Sequence, residues 1–121
     1  MQPKDLQKRT KEFALRIIKL ADLLEKYPLG KYVGRQIFRS GTSTAANYRA
    51  ACRARSVKDF ISKLGIVIEE VDETTFWLEL LIESGIIKKE EIQDLYRESN
   101  ELTAIMVASK NSTIRNQKNK S

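Results

Sequence analysis

The feature that most constrains this chain is an apolar stripe between positions 61 and 82. Ile61, Leu64, Ile68, Val71, Thr75, Leu78 and Ile82 follow one another at steps of 3-4-3-4-3-4. That spacing returns to one side of an α-helix and cannot serve a strand, whose side chains alternate every second residue. Phe60, Val67 and Leu81 widen the stripe on one flank. Ser56 reads as the N-cap, with Asp59 three residues on, and Gly85 stands just past the end.

The same period recurs upstream. Leu6, Thr10, Phe13, Ile17, Leu20 and Leu24 step 4-3-4-3-4, predicting a helix over about 4–26. Tyr27-Pro28-Leu29-Gly30 reads as the break after it. A second helix is expected over about 31–54. Gly41-Thr42-Ser43-Thr44 is a poor helix-forming run within it, fitting either a kink or the close approach of another backbone. A fourth helix is expected over about 88–109, with Ile92, Leu95, Leu102 and Met106 on one face and Ser99 interrupting it. The basic, polar segment 110–121 reads as a disordered tail. The expected fold is therefore all-α: an antiparallel up-down four-helix bundle over 1–109.

Composition removes several kinds of chemistry. The 121 residues include no histidine, so His-based acid–base catalysis and His-ligated zinc are excluded. The one cysteine, Cys52, cannot close an intrachain disulfide and reads as a small core residue. The acids Glu69, Glu70, Asp72 and Glu73 suit a hard cation, but a carboxylate site in a bundle needs matching ligands on other helices, and Glu-x-x-His pairs are absent. The expectation is a chain with no catalytic residues, metal or cofactor. No apolar run approaches the roughly 18 residues of a membrane span. Positions 1–10 lack the apolar stretch of a secretory signal, so a cytoplasmic protein is expected.

Charge is informative. Lys and Arg number 22 against 16 Asp and Glu, a net charge of +6. From Lys26 to Lys58 there are eight basic residues and no acidic one, whereas Asp59 to Glu101 holds twelve acids and four bases. On a helix turning about 100° per residue, Lys31, Arg35, Arg39, Arg49 and Arg53 share an arc of about 80°. Val33, Ile37, Tyr48, Ala51 and Cys52 fall on the opposite side. Such a ridge suits a polyphosphate backbone, because guanidinium forks match phosphate oxygens. Arg55 and Lys58 extend it; Lys8, Arg9, Lys110, Arg115, Lys118 and Lys120 are supporting residues. The competing reading pairs these arginines with the acids of helix three, within one bundle or across subunits. Trp77 beside Phe76 suits either the core or a subunit interface, and the interface is the expectation, because the third helix already has enough apolar stripe to fill a bundle core.

Three segments also carry a resemblance. They are Arg39-Ser-Gly-Thr-Ser-Thr-Ala-Ala-Asn-Tyr-Arg-Ala-Ala-Cys-Arg-Ala-Arg-Ser56, Asp59-Phe-Ile-Ser-Lys-Leu64 and Glu70-Val-Asp-Glu-Thr-Thr-Phe-Trp-Leu-Glu-Leu-Leu81. With Leu6-Gln-Lys-Arg-Thr-Lys-Glu-Phe-Ala14 they resemble the four-helix-bundle proteins encoded within intervening sequences of bacterial 23S ribosomal RNA genes. That family includes the accessory variability protein of diversity-generating retroelements. The resemblance implies a ring-like homo-oligomer, usually a pentamer, with no enzymatic activity. It also implies a possible protein partner such as a reverse transcriptase. Many members carry Ile-Pro within the second-helix motif, where this chain has Ser43-Thr44-Ala45. The expected function is non-enzymatic binding of RNA or DNA by phosphate and shape. The alternative is an adaptor ring that docks a protein partner without touching nucleic acid. On the first reading, reversing Arg35 and Arg39 to Glu abolishes binding.

Overall fold

The computed structural model describes residues 1–120, which form four helices and no strand: α1 Pro3–Leu24, α2 Pro28–Cys52, α3 Val57–Ser84 and α4 Lys89–Lys120. The chain is a four-helix bundle in which α2 packs on α1 and α3, α3 also on α4, and α4 more slenderly on α1.

The helix ends follow local chemistry. Ser56 Oγ accepts the backbone N–H of Asp59 at 3.0 Å, satisfying one orphan donor of α3. Gly85 ends α3 with a left-handed φ of 76°, which costs glycine no Cβ clash. Pro28 opens α2 instead of standing in a break before it: at the first helical position its missing N–H has no partner to lose.

One open choice is decided and one expectation is corrected. Gly41 to Thr44 holds no interruption; the helix runs through it. Thr42 and Thr44 bond back to the carbonyls of Phe38 at 2.7 Å and Ser40 at 2.8 Å. Close approach explains the glycine, since a Cβ built on Gly41 would lie 2.7 Å from Ile17 Cγ2. The tail expected to be disordered from Lys110 is instead the last third of α4, helical to Lys120. Ser112, Thr113 and Ile114 are half-buried there. Lys110 Nζ lies 3.3 Å from where a Gly65 Cβ would stand, so the missing side chain at Gly65 leaves room for α4 to continue along α3.

The core joins Phe13, Ile17 and Leu24 of α1, Ile37 and Tyr48 of α2, Leu64, Val67, Val71, Leu78 and Leu81 of α3, and Leu102 and Met106 of α4. On α3 the burial is centred nearer Val67, Thr74 and Leu81 than the stripe suggests, leaving Ile61, Ile68 and Ile82 half-buried. The helix packs on two neighbours, so the flank that merely widened the stripe lies between them. A hydroxyl layer crosses mid-bundle. Thr74 Oγ1 lies 2.8 Å from Ser40 Oγ, and Thr75 Oγ1 lies 3.0 Å from Ser99 Oγ. All four residues are buried, and each hydroxyl also reaches a carbonyl of its own helix.

The register between neighbours is explicit. Gly30, Gly34 and Gly41 of α2 meet Leu24, Ala21 and Ile17 of α1 in turn. Arg39 reaches Glu70 and Glu73 of α3, whereas Arg53 lies near Asp59 and Lys63. On the third interface Thr75 meets Ser99 and Gly65 meets Lys110.

Candidate nucleic-acid interface

Because α2 is continuous, all five ridge residues face outward and are exposed: Lys31, Arg35, Arg39, Arg49 and Arg53. Their surroundings differ, and the neighbouring helices divide the ridge into three parts.

Arg35 borders an open groove of about 330 Å³ with Ile18, Ala21, Asp22, Glu25, Gly34 and Phe38. Two carboxylates of α1 therefore share its surroundings. Arg39 is engaged within the bundle. Its Nη1 donates to Glu70 Oε2 at 3.0 Å and its Nη2 donates to Glu73 Oε2. Trp77 Nε1 donates to the same Glu73 oxygen at 3.1 Å. Hydrogen bonding from Arg39, reinforced by Trp77, holds the Glu73 carboxyl below its usual range against the opposing effect of burial.

Arg49 and Arg53 stand apart. With Gln7, Lys8, Lys11, Ala45 and Ala46 they line a groove of about 570 Å³ between α1 and α2. Four cations and no carboxylate border it. Alanines at its floor leave the guanidinium groups approachable. On the other side of Arg49 and Arg53 lies a second groove, of about 440 Å³, with Ala46, Ala50, Arg55, Asp59 and Lys63. Its one carboxylate is occupied. Asp59 Oδ2 accepts Lys63 Nζ at 2.7 Å and the Arg55 backbone N–H at 3.2 Å, which together hold its pKa low.

Among the described residues, Lys8, Lys11, Lys31, Arg35, Arg49, Arg53, Arg55 and Lys58 form no ion pair. Lys58 is exposed in the first turn of α3. Arg9, a supporting residue by sequence, is spent: its Nε and Nη2 donate to Glu98 at 2.7 and 2.6 Å, and Glu101 lies 3.5 Å away. The structure thus gathers Arg49, Arg53 and Lys8, leaves Lys31 and Arg35 at the other end of α2, and takes Arg39 and Arg9 into internal pairs. Lys11 was missed by sequence reasoning. It stands one turn after Lys8, but only the α1–α2 register places it opposite Arg49.

The two aromatics divide. Trp77 is partly buried, edge-on to Tyr32 with ring centres 6.1 Å apart and to Phe76 at 5.4 Å. Phe76 remains 50% exposed. Tyr48 is buried, which pushes its phenol well above the ordinary range and withdraws it from any stacking role. Cys52 is half-buried. No group of three His, Cys, Asp or Glu among the described residues is placed to hold a metal ion. No described helix is long and apolar enough to cross a membrane.

Residues 4–108 match the family model of the 23S rRNA-intervening sequence protein. The chain belongs to this family. A solved structure supports the assignment: a protein of unknown function from the S23 ribosomal protein family of Bacteroides thetaiotaomicron VPI-5482. It shares 36% identity, with a TM-score of 0.85, over 92% of this chain and 99% of that one. No curated protein matches the chain. The family match ends at 108, so Lys110, Arg115, Lys118 and Lys120 lie outside it.

Proposed function

We propose that this member of the family binds RNA or DNA without catalysing a reaction, through phosphate contacts at one end of the bundle. The observation that carries the reading is the groove bordered by Lys8, Lys11, Arg49 and Arg53, into which two helices bring four cations and no carboxylate. Arg55 and Lys58 flank it at the α2–α3 joint. The contact registers fit an up-down arrangement, in which the start of α1, the end of α2 and the start of α3 share that end. The ligand surface contracts relative to the full ridge, because Arg39 is already paired and Arg35 sits near Asp22 and Glu25.

We further propose a cytoplasmic, ring-like homo-oligomer, five copies by the family resemblance, with Phe76 at the subunit boundary. Half-exposed Phe76 beside Trp77 supports that role. The same exposure, with Tyr32 and Phe38 also about half exposed, favours the adaptor reading as the alternative.

The deciding experiment is fluorescence anisotropy of nuclease-treated protein with a labelled RNA hairpin and a DNA duplex over a salt series. Four neutralised phosphates give a slope of about −3.6 in log K against log salt for duplex DNA. Affinity then falls about 150-fold between 50 and 200 mM salt. Arg49→Gln/Arg53→Gln should lower the slope by about 1.8 at unchanged helicity. Absence of binding at low salt would refute the nucleic-acid reading, and a pull-down that survives nuclease would then favour the adaptor.

A further inference from the structure

We infer that Arg39 is a latent phosphate-contact position on α2, kept out of use in this protein by Glu70 and Glu73 of α3. The inference rests on the nucleic-acid reading and defines how far the ligand can extend.

Arg39 differs from its neighbours on the ridge in its partners. Its guanidinium fork, the geometry that would grip a phosphate, is divided between two carboxylates of α3, one contact being 3.0 Å. The two carboxylates outnumber the guanidinium, so the cluster carries a net charge of −1 where the ridge pattern alone puts +1. A phosphate approaching Arg39 therefore meets repulsion. Glu73 is fixed in place from its other side by Trp77 Nε1, itself packed edge-on against Tyr32. The blocking carboxylate is thus braced by aromatic packing. Arg39 nevertheless keeps half of its side chain exposed, so only the carboxylates stand between it and a ligand.

Position makes the closure consequential. Arg39 and Arg49 are ten residues apart, about 15 Å along the helix axis. With Arg39 closed, the phosphate path ends near Arg49. With Arg39 free, the path gains a contact one and a half nanometres further along the bundle. Glu70 and Glu73 therefore shorten the footprint and favour a ligand gripped at the end of the bundle over one laid along α2.

The test compares salt slopes for duplex DNA among full-length variants whose helicity is checked by circular dichroism. Glu70→Gln/Glu73→Gln should steepen the slope by about 0.9, making the loss of affinity between 50 and 200 mM salt about threefold larger than in the parent. Adding Arg39→Gln should cancel that gain, and Arg39→Gln in the parent should leave the slope unchanged. Glu69→Gln/Asp72→Gln alters the charge of the same helix equally but frees no arginine, and should not add the step. Glu73→Gln alone serves if the double variant does not fold, with the same sign. An unchanged slope in the Gln variants would overturn the inference, as would an equal step in the control pair or a lower slope for Arg39→Gln in the parent. The two readings separate. If Arg49→Gln/Arg53→Gln weakens binding and the Gln variants do nothing, only the closure fails. If the parent binds, Arg49→Gln/Arg53→Gln leaves its slope unchanged and Glu70→Gln/Glu73→Gln still adds the step that Arg39→Gln cancels, only the end groove fails. If none binds, both fail.

Discussion

Replacing Gly41 with alanine pits helix propensity against packing. Alanine in a helix interior is favoured over glycine by about 1 kcal/mol. Against this, the added Cβ would lie 2.7 Å from Ile17 Cγ2, 2.8 Å from Cγ1 and 3.0 Å from Cβ. Carbon atoms pack favourably at about 3.5–4.0 Å, so α1 and α2 must part locally by most of an ångström. Ile17 cannot swing aside, because it is fully buried and β-branched. Overpacking of this kind costs about 1–3 kcal/mol. The expected result is a net loss of about 1 kcal/mol, or a fall of about 3–6 °C in melting temperature for a chain of this size. Gly65→Ala is the internal comparison. Its Cβ meets only the flexible end of Lys110, at 3.3 Å, so the propensity gain should survive and stability should rise by about 0.5–1 kcal/mol. Thermal denaturation at one protein concentration reads both. In an Ile17→Ala background, Gly41→Ala should turn stabilising, since the obstructing carbons are gone. Equal stabilisation by Gly41→Ala and Gly65→Ala in the parent would show that α1 and α2 are not in close contact at this point, and the reasoning would be wrong.

Ser56→Ala removes the acceptor for the Asp59 N–H and should cost about 1 kcal/mol, read by urea denaturation. Thr75→Val removes the hydroxyl that meets Ser99 in the core and should also cost about 1 kcal/mol, whereas Thr103→Val, on a half-buried site bonded only to its own helix, should cost less. Acid stability carries a signature of Glu73. Its folded pKa lies below the unfolded value of about 4.3, so its contribution is present above that pH and is lost as pH falls through the folded pKa. Glu73→Gln should therefore flatten the acid limb of a stability–pH curve below about pH 4.5, and an unchanged limb would show that the Arg39 pair contributes nothing.

The helices were legible in the sequence because each carries an apolar period matched to the α-helix, and because local signals mark the ends. Ser56 with Asp59 and the glycine at 85 act within a few residues, so no distant contact was needed to place them. The outward arc of Lys31, Arg35, Arg39, Arg49 and Arg53 follows from the same rotation per residue. Two segments depended on another helix. Gly41 reads as weakness in isolation and is a site of close packing only because Ile17 of α1 lies against it. The polar segment after Lys110 lacks a strong stripe of its own, yet it continues the helix past the point where Lys110 lies beside Gly65 of α3. The tertiary structure alone decided which ridge cations are available. A charge's partners across a bundle depend on register between helices, which a periodicity within one helix does not contain. That register gives Arg39 to Glu70 and Glu73, gives Arg9 to Glu98, and brings Lys8 and Lys11 across from Arg49 and Arg53.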